Sequence, residues 1–213
     1  MDFAKQAIDV GLYTDQLDAS LAFWRDEVGL PYEELLKAGG GIHQHRLTLH
    51  GGVLKLNVSR EPLAASPTGL TGLRIARAGV DSPVALRSPE GVAVELVPPG
   101  HDGVDAVEVR AVASRGGGRF RVGESIVAVD VDPDRPRTGP LRNRGFRYLT
   151  VQIRDLDAEH AALLARGFEE GTAPVRLGDV AYISFVRSRD GDWLELSQRR
   201  SLTGPLPDDV RTR

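Results

Sequence analysis

Lys55, Glu95 and Glu195 occupy one position in three strands of a common design, and their charges suit anion binding, proton transfer or metal ligation. The design is fullest at Val186–Gln198, VRSRDGDWLELSQ. A turn at Arg189-Asp190-Gly191-Asp192 leads into a strand with Trp193, Glu195 and Ser197 on one face and Leu194 and Leu196 on the other. The segment LRSPEGVAVEL, Leu86 to Leu96, repeats it 100 residues earlier, matching Arg87, Ser88, Gly91, Glu95 and Leu96 to Arg187, Ser188, Gly191, Glu195 and Leu196. Val53-Leu54-Lys55-Leu56-Asn57 falls on Trp193-Leu194-Glu195-Leu196-Ser197. Leu17-Asp18-Ala19 recurs as Leu156-Asp157-Ala158, which sets Asp9 against Tyr148. The chain is therefore expected to be assembled from copies of a unit of roughly fifty residues.

Glu195 is the candidate catalytic base or metal ligand, with Tyr148 as its hydrogen-bonding partner and Trp193 shielding it. Its alternative is a carboxylate paired with a buried arginine that only holds the sheet. Glu95 is expected to make such a structural ion pair with Arg74. Gln44 and Arg46 share a hairpin face with Lys55 and Asn57. That donor-rich patch suits a carboxylate, phosphate or enolate oxygen, or else is a solvated face. Tyr13 is a further candidate donor to the ligand. His43-x-His45 places two imidazoles on one strand face, but on the apolar one, so packing competes with metal binding. Gly39-Gly40-Gly41 and Gly116-Gly117-Gly118 are not followed by a helix N-terminus and do not form phosphate cradles. No Ser-His-Asp ordering or nucleophile elbow is present.

The elements that must carry these residues follow from periodicity. A strand at 7–13 precedes a helix capped by Asp15 and ended by Gly29. A hairpin with arms 42–49 and 53–59 turns at Gly51-Gly52. Strands without helices occupy 72–78, 84–87, 92–97, 106–113 and 125–131. The last unit has a strand at 146–153, a helix capped by Asp155 and ended by Gly167, and three more strands. The order is βαβββ, two abbreviated units, then βαβββ. Two halves are expected, 1–100 and 101–200, each joining a full and an abbreviated module, with a polar tail at 201–213.

Composition narrows the partners. A net charge of −3 provides no basic field for nucleic acid. No apolar run is long enough to span a membrane, and the N-terminus lacks a signal-peptide core. The absence of cysteine removes thiolate sites and fits a cytoplasmic protein. A small-molecule ligand and a homodimeric assembly are the expected partners.

IDVGLYTDQLDASLAFWRDEVGL resembles the opening of a vicinal oxygen chelate module, and RSRDGDWLELSQ resembles its closing strand. This is the superfamily of glyoxalases, bleomycin-resistance proteins and extradiol dioxygenases. The resemblance implies an α+β fold of repeated βαβββ modules, whose mixed sheets curl into cups with helices outside and ligand inside. It also implies a divalent metal held by a first-strand histidine or glutamine and a last-strand glutamate from each module. The glutamate matches at Glu195 and Glu95, but Asp9, Arg74 and Tyr148 stand at the histidine positions and Lys55 at a glutamate position. A protonated lysine or arginine has no lone pair to give a metal. The missing histidines argue against an extradiol iron site, and the cations argue against a glyoxalase-type site in the first pair. Glu195, Glu108 and Asp130, with Tyr148, form an all-oxygen set for magnesium, manganese or iron in the second. The implied function is binding and transformation of a small oxygenated, anionic metabolite. The alternative is a non-catalytic, metal-free protein that sequesters a drug or metabolite.

Overall fold

A computed structural model of the chain describes residues 1–39 and 41–207. The strand order sorts the modules into two mixed sheets. The first and last modules build an eight-stranded sheet. Its strands are β1 (Asp9–Thr14), β2 (Tyr32–Gly39), β3 (Ile42–Leu49), β4 (Gly52–Val58), β11 (Gly145–Gln152), β12 (Glu169–Leu177), β13 (Ala181–Arg187) and β14 (Trp193–Arg199). They lie in the order β12-β13-β14-β11-β1-β4-β3-β2. The two middle modules build a six-stranded sheet from β5 (Leu70–Ala76), β6 (Val84–Arg87), β7 (Ala93–Val97), β8 (Val107–Ala113), β9 (Gly118–Val122) and β10 (Ser125–Val131). Each sheet thus takes one module from either half of the chain, and the outer modules pair within a single chain.

Both sheets share one plan. The first strands of two modules run antiparallel at the centre, β1 beside β11 and β5 beside β8. Each has its own module's closing strand parallel on its other side: β4, β14, β7 and β10. The repeated turn is built twice alike. Ser88 N–H donates to Val92 O and Gly91 N–H to Ser88 O; Ser188 N–H donates to Asp192 O and Gly191 N–H to Ser188 O. Gly91 and Gly191 have φ of 85° and 83°, a conformation open to glycine.

Alternation along the strands sorts the two faces of the larger sheet. Val10, Leu12, Leu54 and Leu56 pack against Phe23, Trp24 and Val28 and against Leu73, Ile75, Val107 and Val109 of the smaller sheet. Helix α2 (Leu156–Ala165) covers Val151, Ile153, Val186 and Leu196. The opposite face carries Lys55, Asn57, Thr150, Gln152 and Glu195, all buried without a helix over them. Curvature explains the burial. Arg199 on β14 donates to Glu34 on β2 at 3.0 Å, although five strand spacings would part them by about 24 Å in a flat sheet. The sheet has curled into a cup.

Three local expectations are corrected. The β3–β4 turn is His50-Gly51, with φ of 42° and 75°, and Gly52 already belongs to β4. The first helix is α1 (Leu17–Leu21) continued by a π-helical segment (Ala22–Glu27), and no side chain caps it. Asp15 instead accepts from Leu63 N–H and the Arg144 guanidinium, which tie a linker to the fold. Asp155 does cap α2, accepting from Ala158 N–H. Of the tail, Arg200–Thr203 forms α3 and Leu206 is buried against the α2 cluster, while 208–213 lie outside the described residues. No helix among the described residues is long and apolar enough to cross a membrane.

Candidate functional site

The floor of the cup is a buried ion pair between the closing strands of the first and last modules. Lys55 Nζ donates to Glu195 Oε2 at 2.6 Å and to Thr150 Oγ1 at 2.8 Å, and Thr150 Oγ1 donates to Glu195 Oε2 at 2.6 Å. Register brings them together: Lys55 lies opposite Gly11 on β1, and Glu195 opposite Thr150 on β11. Gly11 in turn faces Tyr148 across the β1–β11 pair, and a Cβ there would run into the Tyr148 ring. Glycine therefore lets that ring lie over β1, where it sits 5.8 Å from Lys55 Nζ.

Around this pair the cup is satisfied strand by strand. Asn57 Nδ2 donates to Tyr148 Oη at 3.0 Å and to Leu12 O, while Gln44 Nε2 donates to Asn57 Oδ1. Burial, then the Glu195 carboxylate and Tyr13, push the Tyr148 phenol well above its ordinary value, outweighing the Asn57 hydrogen bond. It is a neutral phenol at every physiological pH. Asp9 is fully buried beside the pair, 3.9 Å from Lys55 Nζ, and is held by Lys5, Val53 N–H and Gln152. Burial pushes its carboxyl upward, but Lys55, Lys5 and these hydrogen bonds prevail and hold it below the ordinary range.

Above the floor opens a cavity of about 500 Å³, walled by Gln44, Arg46, Ala181, Ile183, Ser197 and Arg199 and reaching Lys55 and Glu195. A smaller recess of about 60 Å³ continues from it to Tyr13, Asn57 and Tyr148. Arg46 is only 4% exposed. Its Nη1 donates to Gln44 Oε1 at 3.3 Å. Glu34 Oε1 and Glu33 Oε2 lie 3.2 and 3.8 Å from its Nε as ion-pair partners, although this buried N–H makes no in-line hydrogen bond to either. The cup thus combines an ion-paired guanidinium, an ammonium–carboxylate pair and neutral donors beside an apolar wall. That set can bind an oxyanion and, at Glu195, exchange a proton.

The structure gathers Gln44, Arg46, Lys55, Asn57, Tyr13, Tyr148 and Glu195 around this space. It does not bring Trp193 there: the indole stacks under Arg187 and donates to Gly139 O, bracing the turn at its back. Glu95 joins Arg74 at 2.6 Å in the smaller sheet. The metal set is dispersed, because Glu108 and Asp130 belong to β8 and β10 of the smaller sheet, whereas Glu195 lies in the larger one. Glu108 is occupied by Arg74 and Arg119. His45 pairs with Tyr32. Among the described residues no three His, Cys, Asp or Glu side chains are grouped to hold a metal. A divalent ion does not fit the cup floor either, since the Lys55 ammonium already occupies the cation's place against Glu195.

Four residues of the site escape a reading by motif: Asp9 as a partner of the floor, Thr150, Gln152 and Arg199. Alternation from Tyr148 places Thr150 and Gln152 on its face, and alternation from Glu195 places Arg199. The signal lay in strand period, not in residue type.

Paired βαβββ modules enclosing a polar hollow define the class of fold. The chain belongs to the Glyoxalase/Bleomycin resistance protein/Dioxygenase superfamily, which matches residues 7–196. Among solved structures it is similar to glyoxalase I from Zea mays, with 11% identity, 90% of this chain and 92% of that chain covered, and a TM-score of 0.67. It is also similar to the cppA protein from Streptococcus pneumoniae, with 12% identity, 92% and 100% covered, and a TM-score of 0.57. At such identities these likenesses speak for the fold alone. No curated protein matches the sequence.

Proposed function

We propose that the cup binds a small oxygenated anion of the 2-oxo or 2-hydroxy carboxylate class and acts on it by proton transfer. The observation that carries this reading is the cavity of about 500 Å³ between Arg46 and the Lys55–Glu195 pair. Arg46 takes the ligand carboxylate, turning its guanidinium from Glu34 and Glu33, whose carboxylates it holds without an in-line hydrogen bond from Nε–H. Lys55 turns from Glu195 toward the adjacent oxygen, so that Glu195 is released to accept a proton from the neighbouring carbon or hydroxyl. The Tyr148 phenol, oriented by Asn57, donates to the developing oxyanion. A second reading is capture without chemistry. It is favoured by the engagement of Glu195 Oε2 with two donors at 2.6 Å. Calorimetric titration of the full chain with a panel of 2-oxo and 2-hydroxy acids, followed by proton exchange in deuterated water, tests both. Turnover lost in Glu195→Gln with binding retained supports the enzyme. Binding with no exchange in the native chain supports capture. No binding by any acid overturns the reading.

A further inference from the structure

We propose that the cup carries its cation in the polypeptide, with the Lys55 ammonium serving where other members of the superfamily place a divalent metal. The two closing strands β4 and β14 are related by the repeat, and Lys55 and Glu195 hold equivalent positions on them. A glutamate at both positions would leave two buried carboxylates facing one hollow, a charge that a bound cation or an added proton must compensate. One of the two is instead a lysine, and its Nζ sits 2.6 Å from Glu195 and 3.9 Å from Asp9, between both carboxylates. Thr150 closes the same cluster from β11. The ammonium is a point charge with three donors and no lone pair, so it neutralises Glu195 and repels a dication from the same place. Gln152 Oε1, buried without a hydrogen-bond partner on the cavity wall, marks an acceptor oxygen left over near the floor. The ligand oxygen that a metal would polarise is therefore met by Lys55, and the cup's cation can be neither lost to chelators nor exchanged.

This rests on the cup being the ligand site, but its test needs no ligand and stands apart from that reading. The chelator-treated full chain is titrated with Mn(II), followed by loss of the free ion's paramagnetic signal and by melting temperature. The native chain is expected to take up no Mn(II) at Glu195. Lys55→Glu restores an oxygen pair and is expected to take up about one Mn(II) per chain, with a melting temperature that rises on adding the ion. Lys55→Glu with Glu195→Gln loses both effects. Where Lys55→Glu is too unstable to purify without metal, Lys55→His gives a neutral donor at the same place and the same readout. Stoichiometric uptake by the native chain that Glu195→Gln abolishes overturns the proposal. So does the absence of uptake in folded Lys55→Glu and Lys55→His, because position 55 would then not be a cation's seat.

Discussion

The two sheets are built on one plan yet differ in what they enclose. In each, antiparallel first strands are flanked by parallel closing strands, and a cation meets a carboxylate from the repeated closing strand. In the larger sheet Lys55 and Glu195 meet at the bottom of a cavity. In the smaller one Arg74 reaches Glu95 at 2.6 Å, Asp102 at 2.9 Å and Glu108 at 3.4 Å, with Glu95 32% and Asp102 65% exposed. The walls make the difference. Hairpins β2–β3 and β12–β13 rise on both sides of the cup, whereas the smaller sheet ends in the short strands β6 and β9. Repetition of charge alone therefore does not make a site. Enclosure does, because an ion pair kept from water interacts more strongly and answers to what enters beside it.

The largest contrast is expected when the cation is removed from each sheet. Lys55→Met leaves Glu195 buried and uncompensated and should cost about 3–5 kcal/mol of unfolding free energy. Arg74→Met should cost about 1 kcal/mol or less, since two of its partners are open to water. Urea unfolding measures both, and equal losses would erase the distinction. Replacing both Lys55 and Glu195 by methionine should return most of the loss.

Ligand binding gives the next contrast. Arg46→Met should weaken binding of a carboxylate by about 10- to 100-fold with little change in folding. Arg110→Met, on an exposed position of the smaller sheet, should leave it unchanged. Titration calorimetry decides. The central strands can be tested through their glycines. Gly11→Ala forces the Tyr148 ring aside and should cost about 1–3 kcal/mol, together with ligand affinity. Gly72→Ala crowds the Ala93 carbonyl and should cost stability alone.

Acid should produce the smallest effect. The Asp9 carboxyl is held below its ordinary 3.8, so its contribution is complete above that value and lost as pH falls through the lowered one. Urea midpoints should therefore drop as pH falls below about 4, and Asp9→Asn should flatten that decline. Asp102 is also lowered, chiefly by its hydrogen bond from Arg74, but it lies at the surface, so Asp102→Asn should leave the profile nearly unchanged.

Periodicity and repetition made much of this legible. Alternation placed Leu54 and Leu56 against the core and Lys55 and Asn57 opposite, and the Ser-x-x-Gly turn announced the strand behind each glutamate. The same signals put Trp193 at the ligand, whereas its indole donates to Gly139 O and packs edge-on against Phe185 of the recess. They also grouped Glu108 and Asp130 with Glu195, because a loose alignment of modules carries no information on which sheet each joins.

By itself the chain's sequence determined the modules, the face of each strand and which residues, Asp9, Arg74, Tyr148 and Lys55, stand at the module positions, because these depend on residue type and on a period of two. Only tertiary structure decided that the first module pairs with the last. That choice set Lys55 against Glu195, 140 residues away, whereas Glu95, its counterpart in the repeat, meets Arg74 of its own module as its sequence position led one to expect. The physical reason is that strand pairing over such distances is settled by the packing of whole sheets, which no local pattern encodes.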